Sequence, residues 1–185
     1  MMKIVAIVGS LREKSYNMHL AKTMQERYQD KFAIDIADIR SLPHYDQDEE
    51  NNPPQAVQEF KELIASANGV IIITPEYNWS IPGVLKNALD WASREDKVFI
   101  GKPVMALGAT LGMLGTVRAQ MHLREILSAP GVQAKILPPG GNEVLIGFAQ
   151  QKFDENTGKL VDEGTLSFID NKVEAFIDFV KSEGN

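Results

Sequence analysis

Three short runs of this chain are apolar at consecutive positions rather than alternate ones: Ile4-Val5-Ala6-Ile7-Val8, Val70-Ile71-Ile72-Ile73 and Val104-Met105-Ala106-Leu107. A strand with one wet face alternates apolar and polar residues. A strand that is apolar throughout must be covered on both faces, as in a parallel sheet held between two layers of helices. The runs predict strands over Lys3–Gly9, Val70–Thr74 and Val104–Ala109, to which Phe32–Ile36 and a short fifth strand over Val132–Leu137 are added. None approaches the roughly 20 apolar residues that a membrane-spanning helix needs, so no membrane partner is expected.

Between the strands the apolar period changes to three and four. Met18, Leu20, Ala21, Met24 and Tyr28 predict a helix from Ser15 to about Tyr28, and Val57, Phe60, Leu63 and Ile64 mark the next. Further helices are predicted over Gly83–Ser93, Thr116–Ser128 and Phe168–Val180. The acidic stretch Asp38–Pro54 reads as a surface loop and the polar stretch Gln150–Gly164 as an excursion before the last helix. Strand and helix alternate throughout, which right-handed crossovers turn into an α/β fold. The expected architecture is a flavodoxin-like three-layer sandwich, with a five-stranded parallel sheet in the order 2-1-3-4-5 and helices on both faces. With 185 residues, no repeat and no interior linker, the chain is read as one domain over 1–185.

Composition narrows the function classes. A net charge of −6 without a long basic run excludes a phosphate-backbone reader, so no nucleic acid partner is expected. The chain has no cysteine, which removes disulfides, thiolate metal sites and cysteine nucleophiles and fits the cytoplasmic localisation we expect. A secretory signal is the weaker reading of the N-terminus, because its apolar run leads straight into a loop motif. His19, His44 and His122 lack metal-ligand spacing, and Asp46, Asp48, Glu49 and Glu50 lack that of a calcium loop, so no metal site is expected.

In a doubly wound sheet, ligands bind beyond the carboxyl ends of the strands at the point where the order reverses. The loops after Gly9, Thr74 and Ala109 should meet there. The first, Gly9-Ser10-Leu11-Arg12-Glu13-Lys14-Ser15-Tyr16-Asn17, places hydroxyls, a guanidinium and an amide at a helix N-terminus, which is chemistry suited to a phosphate. An equally available reading makes Ser15 only a helix cap and Ser10 a turn residue. Neither a P-loop nor a dinucleotide fingerprint is present. The second loop, Pro75-Glu76-Tyr77-Asn78-Trp79-Ser80-Ile81-Pro82-Gly83, offers a stiff wall for a planar ring, with Trp79 open to a subunit contact instead. The third, Gly108-Ala109-Thr110-Leu111-Gly112-Met113-Leu114-Gly115-Thr116, has glycines that permit close backbone approach.

Two of these segments, in this order, resemble the NADPH-dependent FMN reductase family, which includes quinone, azo-dye and chromate reductases. Gly9–Asn17 is similar to the family's Gly-Ser-x-Arg-x-x-Ser-x-Asn phosphate loop, and Pro75–Trp91 to its flavin-ring loop and following helix. The resemblance covers Lys3 to about Leu127. It implies an FMN cofactor whose phosphate is bound by Ser10, Arg12, Ser15 and Asn17, with Tyr16 beside them, and whose ring meets Pro75, Glu76, Tyr77 and Asn78. Thr110, Gly112 and Gly115 would close another side. It also implies an NAD(P)H oxidoreductase with ping-pong kinetics. Hydride passes from NADPH or NADH to the flavin, and electrons then pass to a small acceptor such as a quinone, azo compound, chromate or free flavin. No side chain is given a catalytic role, because the cofactor carries the chemistry. The rival readings are a flavodoxin-type electron carrier and a non-catalytic flavin-binding module. The family further implies a homodimer or homotetramer, for which the helix carrying Trp91 offers an apolar surface. Arg118, His122 and Arg124 stay outside the predicted site.

Overall fold

The computed structural model describes residues 1–183. The chain runs β1 (Met2–Val8), α1 (Tyr16–Arg27), β2 (Phe32–Ile36), α2 (Gln55–Ser66), β3 (Gly69–Ile73), α3 (Gly83–Ala92), β4 (Pro103–Ala109), α4 (Val117–Leu127), β5 (Lys135–Ile136), β6 (Val144–Ile146) and α5 (Glu163–Glu183). All strand pairs are parallel, in the order β2-β1-β3-β4-β5, and β6 also pairs with β4.

The consecutive apolar positions resolve into two faces. Ile4, Ala6 and Val8 of β1, with Ile71 and Ile73 of β3 and Met105 and Leu107 of β4, pack under α1 and α5. Val5 and Ile7, with Val70 and Ile72 and Val104 and Ala106, pack under α2, α3 and α4. Each fully buried Ile, Leu or Val contributes about 1.5–3 kcal/mol relative to exposure. Both faces therefore drive the sheet to be covered.

Three expectations are corrected. The fifth position in the sheet is not one strand over Val132–Leu137. Lys135–Ile136 pairs with the start of β4 and Val144–Ile146 with its end, as two pieces. Pro138 and Pro139 have no N–H to give to the ladder, so after the Leu137 N–H bonds the Val104 carbonyl at 2.8 Å the chain leaves the sheet and returns seven residues later, at Val144. The last helix starts five residues earlier than Phe168, because the Asp162 carboxylate accepts the Thr165 N–H at 2.8 Å and caps it. The α3 face bearing Trp91 is not a free surface. Trp91 is 1% exposed, meets Tyr45 edge-on at 5.0 Å, and its indole N–H bonds the Pro43 carbonyl at 2.9 Å.

Candidate functional site

The loops after β1, β3 and β4 do meet. Backbone bonds carry the ladder into them: Gly9 N–H to the Ile73 carbonyl, Thr74 N–H to Leu107 and Thr110 N–H to Ile146, at 2.8–2.9 Å. A cleft of about 350 Å³ lies between them, lined by Ser10, Arg12, Ser15, Tyr16, Asn17, Pro75, Glu76, Tyr77, Ala109, Thr110 and Leu111. Of the predicted site residues, Asn78, Gly112 and Gly115 are not on its walls. A larger cavity of about 440 Å³ lies beside α2 and touches none of these loops. Its buried Lys61 ammonium is spent on the Arg94 carbonyl at 2.8 Å.

In the first loop both local readings of the serines hold. Ser15 caps α1 by accepting the Met18 N–H at 3.4 Å, and the Ser10 hydroxyl accepts the Arg12 N–H at 3.4 Å. Each acts as acceptor there and keeps its own O–H to donate into the cleft. The first-turn amides of α1 have no partners within the helix and add positive dipole charge. Arg12 lies over the Tyr16 ring, 5.8 Å from its centroid, and has no carboxylate in ion-pair range among the described residues. The donors are thus aimed at an anion that the chain does not itself supply. Nearby, burial first, then Lys22 and Arg12, hold His19 below the ordinary histidine value, so it stays neutral around pH 7.

Asn17, expected among the phosphate ligands, has both polar atoms of its side chain bonded to the Ala109 backbone instead. Its carboxamide donates to the Ala109 carbonyl at 3.0 Å and accepts the Ala109 N–H at 2.9 Å, clamping the end of β4 to the start of α1. The group is buried, so this two-point bond fixes the distance between the first and third loops.

The second loop is a tight hairpin. Tyr77 and Ser80 exchange both backbone bonds at 3.0 Å, around Asn78 at φ 51° and Trp79 at φ 64°. Positive φ at both central positions is the type I′ turn. Asparagine tolerates it, whereas a bulky residue there is strained. Trp79 is 72% exposed and carries the Arg118 guanidinium 4.4 Å from its ring centre. The Ser80 hydroxyl lies 2.6 Å from His122 Nδ1, a second tie to α4.

Glu76 is the third tie. Its Oε2 accepts the backbone N–H groups of Arg118 at 2.9 Å and Ala119 at 3.2 Å, and Oε1 lies 3.7 Å from the Arg118 guanidinium. Helix α4 has no cap of its own, since Thr116 sits at φ 66° with its hydroxyl turned to Gln120 Nε2 at 3.1 Å. A carboxylate from another loop fills the role, in a place that the helix dipole favours. Sequence reasoning missed this pairing. The sequence carried no signal for it, because Thr116 stands where an ordinary N-cap would and only its left-handed backbone shows that it does not act as one.

The β4 loop is shaped by close contact. Gly115 has φ 59°, and a Cβ there would stand 2.5 Å from the Leu145 backbone. Gly112 has open space around it, so nothing steric requires glycine there. Arg124 on α4 pairs with Glu143 at 3.2 Å. The arrangement as a whole offers anion donors at one end and a stiff backbone wall at Pro75–Tyr77 along the side. That fits a planar ring system carrying a phosphate.

Residues 2–151 match the model of the family described as NADPH-dependent FMN reductase. The NADH-dependent flavin reductase subunit 2 of Lactobacillus johnsonii is 44% identical over 184 residues, covering 97% of this chain and 98% of that one. The quinone reductase of Escherichia coli is 37% identical over 184 residues, covering 97% and 96%. Among solved structures, the flavoenzyme NAD(P)H:(acceptor) oxidoreductase FerB of Paracoccus denitrificans superposes with a TM-score of 0.88 at 32% identity, covering 99% of both chains.

Proposed function

The chain belongs to the NADPH-dependent FMN reductase family, and on that premise we propose how its own residues serve an FMN-dependent NAD(P)H oxidoreductase acting on small acceptors. The observation that carries the reading is the Arg12 guanidinium beside the α1 N-terminus, without an acidic partner among the described residues, at one end of the cleft. Ser10, Ser15, Arg12 and the first amides of α1 bind the FMN phosphate, with Tyr16 alongside. Asn17 holds the loops at the spacing this requires. Pro75, Glu76, Tyr77 and Asn78 orient the ring through their backbone, and Thr110, Gly112 and Gly115 belong to the loop that closes its other side. When bound, FMN supplies the acceptance of hydride from NADPH or NADH and its delivery to a quinone, azo compound, chromate or free flavin. No side chain serves as nucleophile, acid or base.

We further infer one cytoplasmic domain that works as a homodimer or homotetramer. Support for assembly comes from the exposed apolar residues Trp79, Leu111, Met113, Leu114 and Met121, on the loops around the cleft and on α4. Exposed large apolar side chains gathered on neighbouring elements are the kind of surface that a partner subunit covers. No helix among the described residues is long and apolar enough to cross a membrane.

The test is anaerobic mixing of FMN-loaded protein with NADPH or NADH. The flavin absorbance should bleach and then return when a quinone or azo dye is added. Failure of both nucleotides to bleach it would overturn the reductase reading.

A further inference from the structure

The excursion between β6 and α5 folds back as a strap along α1. After the short helical turn at Ala149–Gln151, Phe153 and Leu160 form an antiparallel bridge, and both side chains are buried. The strap follows one face of α1. Gly158, at φ 71°, lies flat against the His19 ring, so near that a Cβ would stand 2.3 Å from it. The Leu160 N–H bonds Thr23 Oγ1 at 3.2 Å, and Lys159 donates to Glu26 at 2.8 Å. Positions 19, 23 and 26 are spaced four and three apart, one side of the helix.

At the upper end of the same face the strap reaches the phosphate loop. The Phe153 ring packs on Tyr16 with centroids 5.2 Å apart and planes at 58°. Arg12 sits over the Tyr16 ring at 5.8 Å. Phe153, Tyr16 and Arg12 thus form a chain of contacts running from a buried strap side chain to an exposed guanidinium.

We propose that Phe153 is a positioning residue for the phosphate site: it fixes the Tyr16 ring, and that ring holds the Arg12 guanidinium ready for the FMN phosphate. This rests on the reading of Arg12 as a phosphate ligand. The physical reason lies in what holds the cation. A carboxylate would fix Arg12 equally well but would neutralise it and compete with the incoming anion. An aromatic face attracts the guanidinium through its quadrupole and leaves the charge and the N–H fork available. Arginine loses rotamer freedom on binding, so holding it in advance moves that loss from binding to folding. Phe153 lies beyond the segment matched by the family model, which ends at residue 151, so the support for a family motif comes from outside that segment.

The experiment compares dissociation constants of FMN and riboflavin for the deflavinated full-length chain, by quenching of flavin fluorescence. Only FMN carries the phosphate, so the readout is the ratio of the two constants, which general destabilisation does not move selectively. Phe153→Leu should weaken FMN by about two- to fivefold, the size of an exposed cation–π contact, and leave riboflavin unchanged. Tyr16→Leu, which keeps the strap intact, should change the ratio in the same direction, and Tyr16→Phe, which keeps a ring face, should restore it. In an Arg12→Ala background Phe153→Leu should have no further effect on the ratio. If Arg12→Ala itself fails to change the ratio, the phosphate reading of Arg12 is wrong and the proposal goes with it. If Arg12→Ala changes the ratio but Phe153→Leu and Tyr16→Leu do not, or if the Phe153 effect persists without Arg12, the proposal is overturned while the site reading stands.

Discussion

Replacing Glu76 by alanine removes the side chain that, among the described residues, caps α4, and its cost follows from the geometry. Two backbone N–H groups, of Arg118 and Ala119, lose a carboxylate acceptor at 2.9 and 3.2 Å. Loss of a helix cap costs about 0.5–2 kcal/mol, and an anion in the first turn adds about 0.3–1 kcal/mol from the dipole. The carboxylate is 15% exposed, which places the sum near the upper part of that range, about 2 kcal/mol. The Arg118 guanidinium adds little, because at 3.7 Å and 42% exposure its pairing is screened to less than about 0.5 kcal/mol. In urea at pH 7, with a slope of about 2 kcal/mol per molar, the midpoint should fall by about 1 M. Glu76→Gln keeps an acceptor oxygen without the charge and should lie between wild type and alanine. Flavin affinity should fall equally for FMN and riboflavin, since Glu76 fastens the ring loop and not the phosphate loop. A midpoint shift below about 0.25 M for Glu76→Ala, or an equal shift for Arg118→Ala, would refute the capping argument.

Asn17→Ala should cost about 2–4 kcal/mol, because it strands the buried N–H and C=O of Ala109, and Asn17→Asp should be no better, since it sets an anion against that carbonyl. A melting temperature within 2 °C of wild type, against an expected loss on the order of 10 °C, would contradict the clamp. Asp170 accepts from Arg27 Nε and Nη2 at 2.7 Å each and from the Tyr28 hydroxyl at 2.8 Å, and the Arg27 bonds, ahead of the Tyr28 bond, hold its carboxyl below the usual range. A depressed carboxyl stabilises above its unfolded value and loses that contribution as pH falls through the folded one. Asp170→Asn should therefore cost about 1 kcal/mol at pH 7 after screening, with the gap to wild type closing below about pH 4 in urea titrations. A gap unchanged at pH 3 counts against it. Trp79→Asn relieves a left-handed tryptophan and should leave the melting temperature of the chain unchanged or raised at protein concentrations too low for assembly, whereas a clear drop there would mean that Trp79 is held for stability within the chain.

The sheet order and both helical layers were legible because the informative positions, such as Ile4–Val8 and Val70–Ile73, sit where burial on two faces leaves no polar residue to blur the pattern. The split of the fifth position was less so. Val132–Leu137 reads as a strand until the ladder geometry at Pro138 and Pro139 is considered, and Val144–Ile146 is too short to register as periodic. Trp91 was misread because an apolar helix face looks the same whether core or partner covers it. In the site, motif and position identified the loops, but not how they are joined. The Asn17–Ala109, Glu76–Arg118 and Phe153–Tyr16 contacts span 92, 42 and 137 positions, beyond any local pattern.

Those separations also set a timetable for a chain made from its N-terminus. When the phosphate loop leaves the ribosome, the partner of Asn17 lies 92 residues away and unmade, and Glu76 waits for the amides at 118 and 119. A nascent chain that stops short of β4 has the phosphate-loop residues but neither the Asn17–Ala109 clamp nor the Glu76 cap that set their spacing, so loading of the flavin waits until β4 and α4 have been made.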